Sequence, residues 1–164
     1  MISKTIQNAI NDQIKHELAS GYLYLAMAAH FEAANLPGFA AWMRKQSEEE
    51  QAHAMKFYAY LHDRGGRVEL QAIEQPPKEW KNALAVFENV LAHEQKVTGL
   101  IHKLYALALK ENDYATQVQL QWFITEQIEE EKNATLIIEQ LKMIEDRGTA
   151  VLFLDKQLAK RGQS

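Results

Sequence analysis

The stretch Glu49-Glu50-Gln51-Ala52-His53 decides how the rest of the chain is read. Glu50 and His53 stand three positions apart, so on a helix they share one face and can reach the same metal ion. The remaining question is whether other acids arrive at the same depth. Glu17 lies 33 positions before Glu50, and Glu94 lies 33 positions before Gln127. Glu130 follows three positions after Gln127, where the first half has His53. The chain reads as two similar helical hairpins.

Working outward, apolar residues recur in steps of three and four, the period of a helix with one buried face. Ile10, Ile14, Gly21, Tyr24, Ala28 and Phe31 mark a first helix over about 3–34, with Glu17 as a carboxylate inside its apolar stripe. Leu36-Pro37-Gly38 is a turn. A second helix is expected from about Phe39 to Arg64, ended by Gly65-Gly66, with Phe39, Met43, Gln46, Glu50, His53, Phe57 and Tyr60 inward. Residues 67–79 contain Pro76-Pro77 and no helical period. Thirteen extended residues reach roughly 40 Å, the length of a helix of about 27 residues. The connection can therefore run the length of the bundle and start the third helix at the end where the second began, which makes a crossover four-helix bundle.

The third helix is expected from Lys78 or Trp80 to Glu111, with Leu84, Phe87, Leu91, Glu94, Thr98, Ile101, Tyr105 and Ala108 inward. After Asn112-Asp113, a fourth should run from Tyr114 to Asp146, with Leu120, Phe123, Gln127, Glu130, Ala134, Ile137, Leu141 and Ile144 inward. A short fifth helix over about 149–160 carries Val151, Leu152, Leu154 and Leu158, an apolar face large for a tail and expected to dock, with other subunits as one candidate surface. The reading is a single all-α domain over 1–164, with the bundle at about 3–146.

Composition agrees. The chain has 164 residues, 47% of them hydrophobic, enough for a real core. The absence of Cys removes disulfides, thiolate-bound zinc and iron–sulfur clusters, and fits a cytoplasmic location. Met1-Ile2-Ser3-Lys4-Thr5 leads into no signal-peptide core, and no apolar run approaches membrane-spanning length. The net charge of −4 argues against nucleic acid as partner.

Each polar exception sits about 12–16 residues from its helix start, roughly 18–24 Å along the axis and near mid-height. Taken singly, each has an ordinary explanation. A seam Glu snorkels, Glu48-Glu49-Glu50 and Glu129-Glu130-Glu131 form solvated faces, and His53 is a satisfied core histidine. Tyr24, Phe57 and Trp122 are plain packing. Four helices placing their exceptions in one layer is what sets those explanations aside. Buried carboxylates side by side repel one another and lose hydration, and bound cations remove both costs. Four carboxylates and an imidazole suit two divalent ions sharing one carboxylate, and mixed O and N donors favour iron or manganese over structural zinc.

With these residues in place, the chain resembles the ferritins, most closely the bacterial non-haem members, over nearly its whole length. The resemblance implies a crossover four-helix bundle with a fifth helix and inward Glu and Glu-x-x-His motifs. It implies that Glu17, Glu50 and His53 hold one iron, and that Glu94, Glu130 and the shared Glu50 hold a second, with Gln127 as a polar partner. Glu49, Glu126 and Glu129 match a third, looser iron site, and Tyr24 matches the tyrosine beside the first iron. No haem is expected, since the methionine that binds haem in bacterioferritins would fall at Gln51. Rubrerythrins need a Cys-rich module that is lacking here. The acid pair of the vertebrate iron channel would fall at Gln117 and Leu120.

The resemblance further implies a homo-oligomeric shell of about 24 subunits. Its activity would be ferroxidase chemistry: two Fe(II) bound per subunit, O2 or H2O2 taking the electrons, a bridged diferric product, and Fe(III) stored as mineral. Two other readings stay open on sequence: a di-iron or di-manganese oxygenase or catalase acting on a small substrate, and a metal-buffering bundle without redox turnover.

Overall fold

The computed structural model describes residues 1–145 and 147–161 and contains five helices among them. Helix α1 spans Lys4–Ala33 and opens where the Ser3 hydroxyl accepts from Ile6 N at 3.2 Å, satisfying one of the free N–H groups of its first turn. Asn35 takes a left-handed φ of 60°, the chain reverses, and α2 runs over Pro37–Asp63 with proline in its first turn, where a missing N–H costs nothing. The α1–α2 hairpin is close: a Cβ on Gly21 would lie 3.3 Å from Ser47 O, and Ser47 Oγ donates to Gly21 O at 2.7 Å.

The connection from α2 to α3 tracks α1 from start to finish. Arg67 N donates to Gln7 Oε1 at 3.0 Å. The buried Asn11 side chain donates to Arg67 O and accepts from Glu69 N, each at 2.9 Å. Further on, Ile73 shares a surface pocket with Leu18 and Tyr22, and Trp80 meets His30 edge-on at 5.4 Å. The expected crossover is therefore present, held at its start by Gln7 and Asn11 of α1, which satisfy three of its backbone groups.

Helix α3 spans Ala83–Lys110, starting a few residues later than expected because Asn82 caps it, its Oδ1 accepting from Ala85 N at 2.8 Å. Its fully buried line also differs from the expected one. Val86, Val90, Val97 and Leu104 are sealed, whereas Leu84, Leu91, Thr98 and Tyr105 are only half-buried. Phe87, Glu94, Ile101 and Ala108 are buried as expected, and the other edge of the stripe falls one position earlier, on Ala83, Val90, Val97 and Leu104, in a helix that packs against both α1 and α4. Helix α4 spans Tyr114–Ile144, capped by Asp113, whose Oδ1 accepts from Thr116 N at 3.0 Å. At that end Arg64 grips Asp113 with both guanidinium nitrogens, at 2.9 and 3.1 Å, tying the α2 terminus to the α4 start. The expected end of α4 at Asp146 lies outside the described residues.

Helix α5 spans Gly148–Leu158. Its apolar face is covered largely by its own bundle: Leu154 is buried, and Val151 and Leu158 pack on the core, leaving Leu152 and Phe153 exposed. The expected docking is therefore made chiefly on the chain's own bundle. The docking is also polar. Helix α2 has no side-chain cap of its own, and the buried Asp155 accepts from Phe39 N at 2.8 Å, putting a carboxylate at a positive helix terminus. Gly38 permits it, since a Cβ there would fall 1.7 Å from Asp155 O.

The apolar core is split in two. One half gathers Met27, Phe31, Phe39, Met43, Phe87 and Leu141; the other gathers Ile6, Ile10, Phe57, Leu61, Ile101 and Leu120. Between them lies a layer of buried polar side chains.

Candidate metal centre

Four helices fill that layer. Glu17 comes from α1, Glu50 and His53 from α2, Glu94 from α3, Gln127 and Glu130 from α4, and all six are buried. They meet there because each replaces an apolar residue in its helix's inward line, so burying the line buries the exception with it.

Two ligand groups emerge. Glu17, Glu50 and His53 each bring one ligand atom within 4.8 Å of the others, and so do Glu50, Glu94 and Glu130. Glu50 belongs to both. A third group at the same spacing joins His53 and Glu130 to the half-buried Glu126. His53 stands with Nδ1 3.6 Å from Glu50 Oε2, and its ring meets Trp122 edge-on at 5.3 Å.

Most of the carboxylate oxygens have protein donors. Gln13 Nε2 donates to Glu17 Oε1 at 3.0 Å. Gln46 Nε2 donates to Glu130 Oε2 at 2.7 Å and to Glu50 Oε1 at 3.3 Å. Gln127 Nε2 donates to Glu94 Oε2 at 3.0 Å, and the Tyr24 hydroxyl donates to Glu94 Oε1. Glu17 Oε2 stands apart: among the described residues it is the fully buried side-chain oxygen left with no partner. A buried orphan of that kind is costly and calls for an explanation. A cation bound between Glu17, Glu50 and His53 supplies one.

Electrostatics tell the same story. Burial first, and then the Glu50 charge, push the Glu17 carboxyl well above its ordinary value. Burial and Glu94 do the same to Glu50. Burial raises Glu94, against the hydrogen bonds from Tyr24 and Gln127. Glu130 is pushed to about 7 by burial and by Glu94. Without cations the layer favours protons; with cations the same oxygens are ready-made anionic ligands.

Other expected site residues are arranged differently. Gln127 turns its nitrogen to Glu94, so it orients a carboxylate in this geometry. Glu49, Glu126 and Glu129 are not gathered with one another: Glu49 accepts from Arg161 at 2.7 Å, the exposed Glu129 faces Lys132 at 3.8 Å, and Glu126 joins His53 and Glu130. Tyr24 bonds Glu94, of the second group.

Sequence reasoning assigned no role to Gln13 and Gln46, although their signal was there. Each lies four positions before its glutamate, and the two are themselves 33 positions apart, repeating the Glu17–Glu50 offset. His93 was missed as well. Its Nε2 is 2.7 Å from Ser20 Oγ, its ring packs edge-on against Tyr24, and burial lowers it to about 4. No local pattern marks Arg161.

Residues 7–144 match the family model of the ferritin-like domain. The chain belongs to the ferritin family. Its relatives in that family include the bacterial non-heme ferritin of Bacteroides fragilis, 44% identical over 98% of this chain and all of the relative. That of Staphylococcus aureus is 37% identical over 98% of this chain and 97% of the relative. Among solved structures, an open pore ferritin from the archaeon Archaeoglobus fulgidus superposes with a TM-score of 0.97 at 48% identity, over 98% of this chain and 99% of that one. An engineered closed form of that ferritin superposes equally well. Within the family frame, no described helix is long and apolar enough to cross a membrane.

Proposed function

We propose that this ferritin-family chain is the subunit of a cytoplasmic iron-storage shell that oxidises Fe(II) at a dinuclear ferroxidase centre. Glu17, Glu50 and His53 would take one Fe(II), and Glu50, Glu94 and Glu130 the other, with Glu50 between them. The observation that carries the reading is the pair of buried triads sharing Glu50, one holding the unpartnered Glu17 Oε2. Iron is the substrate: two Fe(II) give up two electrons, and O2 with two protons becomes H2O2, or H2O2 with two protons becomes two waters. Hard anionic oxygens stabilise Fe(III) over Fe(II) and so favour the transfer. Gln13, Gln46 and Gln127 hold the carboxylates in place, and the two apolar half-cores keep bulk water from the layer. His53, Glu130 and the half-buried Glu126, with ligand atoms within 4.8 Å of one another, would offer a further iron position beside the pair.

Relatives named as non-heme ferritins and the exposed Gln51 amide support a centre without haem. The exposed Met143, Leu152 and Phe153 offer apolar surface for neighbouring subunits in a shell of about 24 copies. Size-exclusion chromatography with light scattering, followed by O2 uptake on adding Fe(II), tests both halves. A half-megadalton particle that consumes O2 and retains ferric mineral is expected. A dimer would favour an oxygenase or catalase, and a shell that takes up iron without consuming oxidant would favour a metal buffer.

A further inference from the structure

Arg161 lies just beyond α5, where its N–H closes the terminal turn onto Leu158 O at 3.2 Å. Its guanidinium stacks 4.1 Å above the Trp42 ring and donates to Trp42 O at 3.3 Å, to Gln46 Oε1 at 2.7 Å and to Glu49 Oε2 at 2.7 Å. Trp42, Gln46 and Glu49 are four and then three positions apart, one face of α2 leading into the polar layer. With Asp155 capping the start of α2, this anchors α5 along that helix at two points.

The consequence lies in the polarity of the Gln46 amide. A primary amide has a donating end and an accepting end, and only the donating end suits two carboxylates. Gln46 presents that end to Glu50 and Glu130. Reversed, it would set its oxygen against both acids. A guanidinium can only donate, so Arg161 requires the oxygen of Gln46 to face outward and therefore requires the nitrogen to face the centre. Glu49 balances the Arg161 charge, and the Trp42 ring fixes its plane.

We propose that Arg161 is a positioning residue of the metal centre, acting through Gln46 chiefly to aim Glu130, the closer of the two acids to the Gln46 nitrogen and a ligand of the second metal position that the first does not share. This rests on the dinuclear reading above, and it joins the chain's C-terminal segment to a centre built by the other helices. Loss of an outer partner of a metal ligand commonly weakens binding about 10–100-fold.

The test uses the assembled protein and Co(II) alone, followed by its visible ligand-field bands, which separate the His53-containing position from the all-carboxylate one. Wild type should bind two Co(II) per chain. Arg161→Ala should weaken the second position about tenfold and leave the first nearly unchanged, with a matching fall in initial Fe(II) oxidation. Arg161→Met, which keeps the apolar stem on Trp42 and removes only the donors, should behave alike and covers the case in which the alanine variant fails to assemble. Arg161→Lys should recover part of the loss. In a Gln46→Ala background, Arg161→Ala should add nothing, because the intermediary is gone. Equal weakening of both positions, the same loss without Gln46, or wild-type binding in Arg161→Met overturns the proposal. A wild type that takes up no Co(II) pair overturns the dinuclear reading and this inference with it.

Discussion

The Tyr24 hydroxyl on α1 donates to Glu94 Oε1 on α3, joining residues 70 positions apart inside a layer that seals both from solvent. The bond favours the charged carboxylate and opposes the burial that raises Glu94. Tyr24→Phe removes the donor with little change in shape. Fe(II) oxidation should slow several-fold while the metal count stays at two per chain. Isothermal titration with Co(II) beside stopped-flow oxidation checks both, and loss of a full equivalent of metal would show that Tyr24 does more than orient Glu94.

Glu50 is shared by both ligand triads, whereas Glu130 belongs to the second and to the Glu126 group. Glu50→Ala should abolish rapid oxidation. Glu130→Ala should leave the Glu17/His53 position able to take one ion, unable to deliver two electrons together. Each change also removes a like charge from a crowded layer, so the metal-free variants should melt no lower than wild type. Added Zn(II) should raise the wild-type melting temperature more than either variant's. A Glu50→Ala protein that oxidises Fe(II) at the wild-type initial rate would rule out the shared-carboxylate centre.

The pH dependence of the metal-free protein follows from the raised carboxyls of the layer, Glu17, Glu50, Glu94 and Glu130, the last held at about 7 against an ordinary 4.5. A carboxyl raised by folding binds its proton more tightly in the native state, so the folded state loses stability as pH rises from about 4.5 through 7. Glu130→Gln removes the last of these titrations. The variant should melt higher than wild type at pH 8, and the gain should vanish near pH 4.5. His93, lowered to about 4 by burial, acts in the opposite sense as pH falls from 6.5; comparing variant with wild type at each pH cancels its contribution. A constant gain across this range would show that repacking, rather than charge, sets the difference.

The Asp155–Phe39 bond fastens α5 to the start of α2. Asp155→Ala should cost about 1–3 kcal/mol by stranding a buried N–H and removing a helix cap. Gly38→Ala should be worse for docking, because its Cβ would collide with the Asp155 backbone. Deleting residues 149–164 should impair assembly and iron retention more than folding of the four long helices. Circular dichroism for the bundle and light scattering for the particle separate the two effects, and an intact, fully retentive shell after the deletion would deny α5 its structural role.

How much of this was legible beforehand depended on how local the signal was. The four long helices, the full-length crossover and the shared depth of Glu17, Glu50, His53, Glu94 and Glu130 could be read because helical periodicity repeats every few residues, and a carboxylate in an apolar line stands out against it. Helix α3 begins later than its apolar period suggests, because the Asn82 side chain caps it. In α3 the period predicts the buried Phe87, Glu94, Ile101 and Ala108, while the other edge of the stripe lies one position earlier than the period suggests, because two neighbouring helices share the coverage of α3.

By itself, the sequence determined which side chains enter the polar layer, since burying each amphipathic face carries its exceptions inward with it. Only the tertiary structure decided how those groups are aimed. Tyr24 selects Glu94, Asp155 caps a helix 116 positions away, and Arg161 turns Gln46 from 115 positions away. Hydrogen bonds are directional and short, so their partners are chosen by where the packed backbones come to rest, and no periodicity along the chain encodes that.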